Sequence, residues 1–285
     1  MREATIPIDL RNPSHVFACL GFAEIANILV GSCESQFNYK NMHDASFSLM
    51  SSSTDLDPIH AVLEFLHECQ SITLIPRGFT EEEISDNREV ATDMSSSTPK
   101  PIKDATLAVK LRTLTHSYVL DSWGDDGSNG RLSFKFWAGR SQGKSIVTKM
   151  LTAIKKIPHS TIPDICRDPF RFKSNFRGGF NFDFRSTGDA LSFGFSLEDA
   201  KISLVGYPIA EILSVVGIQN ARPHLVSRNP QSLVYRYRVS SQSVPVALHR
   251  AVLGGHDIGL PSIPFTMHVG FSGKTKIIKR VLEEQ

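Results

Sequence analysis

Residues Arg131–Lys156 read RLSFKFWAGRSQGKSIVTKMLTAIKK, and residues Phe170–Ser186 read FRFKSNFRGGFNFDFRS. Between Arg131 and Arg185 the chain carries twelve Lys or Arg residues and three acidic residues, a local net charge of +9. Phenylalanines and a tryptophan are threaded through the same stretch. A polyphosphate chain with stackable bases requires this mixture of cations and aromatic rings, so the stretch predicts a nucleic-acid-binding surface.

The alternation of residue types in this stretch also predicts its local structure. Aromatic and basic residues alternate over Phe170–Lys173 and Phe180–Phe184, which indicates two strands with phenylalanine on one face and cations on the other. Residues Ser145–Ile157 are predicted to form a helix. Amphipathic strands with a buried aromatic face and a solvated basic face would give the same pattern without any ligand, and the two interpretations are compatible.

Charge is distributed unevenly along the 285 residues. The whole chain has a net charge of +2, whereas residues 1–100 have a net charge of −9. Such an asymmetry suggests two faces with different partners. The chain lacks an apolar run long enough to span a membrane and lacks a secretory signal pattern. Its four cysteines form no C-x-x-C pair. We therefore expect a cytoplasmic protein without membrane contact, disulfides or a zinc site.

Helix and hairpin signals outside this stretch define the fold class. Asn12 and Pro13 are predicted to begin a helix that ends at Gly31. Asp57 and Pro58 are predicted to begin a second helix. Hairpin signals outnumber β-α-β units, so we predict an α+β fold, a mostly antiparallel sheet with flanking helices. Three portions are predicted: an acidic α/β portion (1–75), an acidic Ser/Thr/Pro-rich insert or loop (76–104), and a basic antiparallel-sheet portion with helices (105–285). They can also form one continuous domain.

One short motif resembles a phosphate-binding loop. Ala138 is followed by four residues and then by Gly143, Lys144 and Ser145, between a predicted strand and a predicted helix. Three features argue against a nucleotide hydrolase. The motif has Ala138 where a phosphate-binding loop has glycine, and the preceding strand is amphipathic. No later strand ends in an Asp that could bind the metal. Asp183 is the nearest such residue, and its alternation predicts that it points outward.

The remaining titratable residues predict no catalytic centre. The ten histidines are scattered, and His43-Asp44 and His256-Asp257 are isolated doublets. No Ser-His-Asp or Cys-His arrangement follows from spacing. We therefore predict a protein that is not an enzyme, with no metal site and no cofactor. Arg236 and Arg238 alternate with tyrosines in a strand that is interpreted either as a second nucleic-acid surface or as an edge strand with a solvated face.

Several blocks in order resemble a known family: IPIDLRNPSHVFACLGFAEIANILVG, SFKFWAGRSQGKSI, FNFDFRSTGDALSFGFS, YPIAEILSVVGIQNARPH and VPVALHRAVLGG. Together they resemble the third Csb family of type I-U (I-G, Dpsyc subtype) CRISPR systems, a large-subunit-like component of Cascade. The resemblance implies a non-catalytic subunit of an RNA-guided DNA surveillance complex. It implies roles in protospacer-adjacent-motif recognition, strand stabilisation and helicase-nuclease recruitment. The implied partners are crRNA, target DNA, the backbone and crRNA-processing subunits, and the helicase-nuclease.

The charge pattern, rather than the resemblance, supplies the predicted site residues. The predicted nucleic-acid-binding residues are Lys135, Trp137, Arg140, Gln142, Lys144, Lys149, Arg171, Lys173, Asn175, Phe176, Arg177 and Arg185. Most are cations for phosphate, Trp137 and Phe176 are stacking residues, and Gln142 and Asn175 are base-edge readers. Two alternatives stay open: a nucleotide-binding phosphate-loop protein using Gly143-Lys144-Ser145, and a scaffold whose basic stretch docks an acidic partner protein.

Overall fold

The computed structural model of the chain describes residues 2–41, 44–53, 55–75, 88–90, 108–121, 134, 136, 143–175, 179–186, 205–272 and 275–284. Among these residues helix and strand occur in roughly equal proportion, 36% each, and the strands pair mostly in antiparallel fashion. The predicted α+β class is therefore confirmed.

The secondary-structure elements are as follows. The helices are α1 (Pro13–Leu29), α2 (Pro58–Glu68), α3 (Gly143–Ile154), α4 (Ile162–Ile165), α5 (Pro208–Asn220) and α6 (Val246–Leu253). The strands are β1 (Arg2–Ile8), β2 (Cys33–Asn41), β3 (Asp44–Ser51), β4 (Gln70–Ile75), β5 (Arg88–Val90), β6 (Val109–Arg112), β7 (Ser117–Leu120), β8 (His224–Asn229), β9 (Ser232–Ser240), β10 (Val244–Pro245), β11 (Ser262–Ser272) and β12 (Thr275–Glu283). Single 3₁₀ turns span His159–Thr161, Pro169–Arg171 and Phe184–Ser186.

The strands form three small sheets instead of one. Their orders are β1-β3-β2-β10, β5-β4-β6-β7 and β12-β11-β9-β8. All neighbours are antiparallel except the parallel pair β4–β5. In the third sheet Tyr235 and Tyr237 are buried, and β9 lies between β8 and β11. Of the two interpretations of the strand with Arg236 and Arg238, the edge strand is therefore wrong.

Two helices buried on every side form the centre of the molecule. Residues Pro13–Ala26 of α1 and Pro208–Ile218 of α5 are all buried. A helix that is hydrophobic all round must lie inside a core. The two helices cross with almost no side chain between them: a Cβ on Gly21 would lie 2.1 Å from the Leu213 carbonyl oxygen, and one on Gly217 would lie 1.9 Å from that of Phe17. Only glycine fits at either position.

Local capping begins the first two helices where the sequence predicts. The Asn12 side chain accepts a hydrogen bond from the Ser14 backbone N–H at 3.2 Å, and Asp57 caps α2 in the same manner. Gly31, just past the end of α1, has a φ of +84°, a conformation in which glycine has no Cβ penalty. These predictions are confirmed.

The two phenylalanine-rich strands predicted at Phe170–Lys173 and Phe180–Phe184 are wrong. The first begins in the 3₁₀ turn Pro169–Arg171 and continues as irregular chain, and the second lies in irregular chain that ends in the turn Phe184–Ser186. The rings of Phe170, Phe180 and Phe182 nevertheless enter the core. Packing among rings from several elements therefore outweighs the period-2 pattern. Phe182, for example, lies edge-on to Phe17 of α1 at 6.0 Å and to Phe136 at 5.0 Å.

The predicted portions 1–75 and 105–285 share one core. A single cluster of buried apolar residues contains members of α1, α2, α5 and the third sheet. Within the acidic insert, Arg88–Val90 forms β5 and pairs with β4. The other residues of 76–104 lie outside the described ones. No helix in the ranges that the structure describes is long and apolar enough to cross a membrane.

Candidate nucleic-acid interface

Helix α3 turns its cations outward because its apolar residues recur at helical spacing. Ile146, Val147, Met150, Leu151 and Ile154 are buried, whereas Thr148, Lys149 and Thr152 are exposed on the opposite side. A hydrogen bond of 2.8 Å between the Thr148 and Ser71 hydroxyls ties the exposed side of the helix to β4. The lysine therefore projects from a helix that the core and a neighbouring strand both hold in place.

A groove of about 240 Å³ runs along this exposed side, and we call it the α3 groove. Its polar lining comprises Thr148, Lys149, Thr152, Lys156, Ser174 and Asn175. Ser174 is fixed by two backbone hydrogen bonds with Gly206, of 2.9 and 3.0 Å, which bring the 173–175 segment beside α3. The described lining contains two ammonium groups, hydroxyls and a carboxamide but no carboxylate, which is a chemistry suited to an anion.

The α3 groove brings together two of the predicted site residues, Lys149 and Asn175, both exposed. Lys173 is exposed two residues before Asn175, and Lys144 is half-buried in the first turn of α3. Arg171 is exposed and pairs with Asp168 at 3.3 Å. Exposed pairs of this kind contribute at most about 1 kcal/mol, so the pair leaves Arg171 able to bind another anion.

Two features of the α3 groove were missed by the sequence reasoning. Lys156 and Ser174 line it and were not among the predicted residues. Lys156 follows Lys149 by seven residues, two helical turns, and this spacing could have placed it on the same face. No signal in the sequence connects Ser174 with Gly206. Lys135, Trp137, Arg140, Gln142, Phe176 and Arg177 lie outside the described residues.

Arg185 lies in the turn Phe184–Ser186 and not on a sheet face, so its predicted position is wrong. Its guanidinium donates to both carboxylate oxygens of Asp183 at 2.9 and 2.6 Å and to the Phe170 carbonyl at 3.0 Å. It also lies 3.6 Å from the centre of the Tyr207 ring. Because the Asp183 side chain is fully buried, it needs a close counterion, and Arg185 is held there.

Asp183 belongs to a buried polar cluster rather than to a surface. The prediction that its side chain points outward is wrong, because it is 0% exposed and accepts a hydrogen bond from the Asn12 amide at 3.0 Å. Its backbone N–H donates to the buried Glu211 carboxylate at 3.0 Å. Burial, and then the charge of Asp183, raise the pKa of Glu211 to about 7. With its oxygens engaged by Arg185 and Asn12, Asp183 is unsuited to complete a magnesium site for Gly143-Lys144-Ser145.

A serine–histidine contact occurs elsewhere, between β2 and α6. The Ser35 hydroxyl and His249 Nδ1 lie 2.5 Å apart, and both residues are almost completely buried. Burial lowers the pKa of His249 to about 4, so the ring is neutral near neutral pH. The pair joins two core elements, and the buried Ser35 hydroxyl is not accessible to act as a nucleophile. Within the described ranges, no three His, Cys, Asp or Glu side chains are grouped as a metal site.

Comparison with known proteins yields no relative: no family model matches the chain, and neither the curated proteins nor the solved structures contain a significant match. The resemblance to the third Csb family therefore stays a prediction.

Proposed function

We propose that this protein is a non-catalytic subunit of a type I CRISPR surveillance complex and that it binds the nucleic-acid backbone through the α3 groove. The observation that carries the binding function is the meeting of Lys149, Lys156 and Asn175 in one groove whose described lining holds no acid. The assignment to a Cascade complex, in the cytoplasm, rests on the sequence resemblance.

The positions of the cations in the groove fit a nucleic-acid backbone better than a single compact anion. Lys149 lies within α3 and Lys156 lies two residues beyond its last residue, Ile154, so the two ammonium groups line the α3 groove at separate positions. Two separate point charges, with hydroxyl and amide donors in the same lining, suit an extended chain of phosphates.

Within a Cascade complex the proposed roles follow from this kind of contact. Base pairing with crRNA reads the target sequence, and protein subunits hold the backbone and read a short adjacent motif. The α3 groove would hold target DNA or a displaced strand, and Asn175 would read a base edge in the motif. Contacts with the other subunits and recruitment of the helicase-nuclease are part of the same proposal.

A phosphate-loop protein is the second candidate, because Gly143, Lys144 and Ser145 do begin α3. It predicts saturable binding of Mg-ATP that the single change Lys144→Ala abolishes. A scaffold that docks an acidic protein is the third, and it predicts no nucleic-acid affinity. A backbone contact predicts roughly additive losses and a steep salt dependence.

The test is the binding of labelled duplex DNA, single-stranded DNA and RNA at about 50 and 200 mM salt, with and without Mg-ATP. The variant Lys149→Glu/Lys156→Glu is compared with Arg2→Glu/Lys40→Glu, which makes the same charge change at exposed positions of β1 and β2. We expect the first variant to lose tenfold or more in affinity and the control to lose little. Equal losses in both, or no salt dependence, would contradict the α3 groove.

A further inference from the structure

A second cationic groove lies on the third sheet, where the β8–β9 turn meets β11 and β12. It encloses about 500 Å³, and we call it the sheet groove. The residues that matter for its chemistry are Gln231, Ser232, His268, Phe271, Lys279 and Arg280. None of the described residues that line it is acidic. It is separate in the fold from α3 and contains none of the residues that the sequence analysis singled out.

A β-bulge gathers the cations of the sheet groove. His268 pairs with Arg280 and Val269 pairs with Ile278, so that Lys279 is the extra residue of β12. Such bulges redirect side chains and are frequent at functional sites. The Lys279 stem then crosses β11 at Gly270, where a Cβ would lie 2.9 Å from Lys279 Cε. Glycine at 270 therefore permits the lysine to lie over the strand.

A histidine and an arginine face each other across the two strands at this bulge. His268 is directly opposite Arg280, an arrangement that destabilises a sheet when both groups are charged. Burial, and then the charge of Arg280, lower the pKa of His268. Lys279 and Arg280 therefore provide the positive charge of the sheet groove. Two adjacent cations, with no acid among the described residues that line the groove, favour an anionic ligand.

An aromatic ring accompanies these cations. Phe271 packs against the hydrophobic core but stays partly exposed, and it lines both the sheet groove and an adjoining groove of about 210 Å³ with Arg228 and Asn229. Gln231 and Ser232 add amide and hydroxyl groups. Single strands bind where a basic groove follows the backbone and aromatic side chains accept unstacked bases. In a duplex the bases are already stacked and cannot use the ring.

We propose that the sheet groove binds single-stranded nucleic acid, with Lys279 and Arg280 at phosphates and Phe271 against a base. This inference rests on the proposed function and extends it, because it gives the protein a second site with a preference for the unpaired strand. In a surveillance complex such a site would hold a displaced strand while the α3 groove holds backbone elsewhere.

The test uses the full chain, a fluorescent oligothymidine of about 15 nucleotides and a duplex of the same length. Lys279→Gln/Arg280→Gln keeps most of each side chain and removes both charges. We expect it to weaken single-strand binding about tenfold, to lower the salt slope by about 1.4 and to leave duplex binding nearly unchanged. Phe271→Leu keeps apolar bulk without an aromatic ring and should weaken single-strand binding severalfold. Thermal unfolding of each variant verifies the fold.

The matched control is Lys149→Gln/Lys156→Gln in the α3 groove. If this control weakens binding and the sheet-groove variant does not, the inference is overturned and the proposed function stands. If only the sheet-groove variant weakens single-strand binding, the inference stands and the α3 groove is wrong. If neither changes binding, both are overturned. Displacement of the oligonucleotide by millimolar inorganic phosphate would indicate a site for free phosphate and would also overturn the inference.

Discussion

At the scale of single residues, Arg185 has a structural role that its position in a basic stretch conceals. The pair of Arg185 with Asp183 is enclosed by the core, and the arginine side chain is 25% exposed. Arg171, fourteen residues earlier, pairs with Asp168 through a side chain that is 87% exposed. Arg185 thus stabilises the fold and Arg171 stays accessible, because Asp183 is buried and Asp168 is not.

The change Arg185→Ala is expected to unfold the protein far more easily than Arg171→Ala. It leaves the buried Asp183 carboxylate without its counterion, which typically costs about 3–5 kcal/mol. Loss of the exposed Arg171 pair should cost at most about 1 kcal/mol. Urea denaturation of both variants measures the difference. Adding Asp183→Asn to Arg185→Ala should recover part of the loss, and no recovery would contradict the role of the pair.

Glu211 is expected to make the free energy of unfolding depend on pH. The unfolded chain releases this proton near pH 4.5 and the folded protein near pH 7. Between these values the folded state binds more protons than the unfolded state, so the stability that Glu211 contributes falls as the pH rises. The largest slope is about 1.4 kcal/mol per pH unit.

The variant Glu211→Gln, which does not titrate, isolates this effect. We expect the wild type to lose stability relative to this variant between about pH 5 and pH 7, as measured by urea denaturation. Burial lowers the pKa of His15 and of His249 to about 4, and both destabilise the fold as the pH falls below 6.5. They are present in both proteins, so their contribution is largely shared. A constant difference between the proteins would contradict the elevated pKa of Glu211.

At the scale of elements, the crossing of α1 and α5 decides how the core is assembled. The helices meet at Gly21 and Gly217, where the backbone of each touches the other. Neither contact can be relieved by a side-chain rotation, because the opposing atoms are the carbonyl groups of Leu213 and Phe17. The positions of the elements that pack on α1 therefore depend on the close approach of α1 and α5.

Gly21→Ala and Gly217→Ala are each expected to destabilise the protein by at least about 1–3 kcal/mol, because the added methyl group overlaps backbone. In an exposed helix the same change would stabilise by about 1 kcal/mol, so the sign of the effect tests the crossing. Gly254→Ala is the milder comparison, since its Cβ would lie 3.2 Å from the Arg250 carbonyl oxygen, a tight contact that needs a shift of only a few tenths of an ångström. Thermal unfolding that shows stabilisation at Gly21 or Gly217 would contradict the close approach.

At the scale of the whole molecule, the acidic and basic portions of the chain share one core. Their buried residues belong to one cluster, and Arg250 of α6 holds Glu24 of α1 through two hydrogen bonds of 2.5 and 2.6 Å. The strand pair β2–β10 also joins the first portion to the last. Charge asymmetry along the sequence therefore does not correspond to separate cores.

A single cooperative unfolding transition is the expected consequence. Calorimetric and van't Hoff enthalpies should agree, as they do for two-state domains. The fragments 1–75 and 105–285 should each lack a cooperative transition alone, because each would expose its half of the α1–α5 contact. Two resolved transitions in the intact chain, or a fragment 1–75 that folds by itself, would contradict a shared core.

The sequence by itself determined the features that depend on neighbouring residues. Asn12 and Asp57 begin helices because an N-cap needs only its own side chain and the next few backbone N–H groups. The alternation in β9 and the amphipathic face of α3 likewise follow from local period. The α+β class follows from the number of such elements.

Only the tertiary structure decided which cations are accessible and which segments meet. Phe170 and Phe182 leave their predicted strands because their rings pack against the distant helix α1, and Arg185 is held by an aspartate that the core has buried. The α3 groove requires Ser174 to bind Gly206, and the sheet groove requires a bulge between β11 and β12. Contacts between distant residues leave no period in the sequence, since they depend on how whole elements pack.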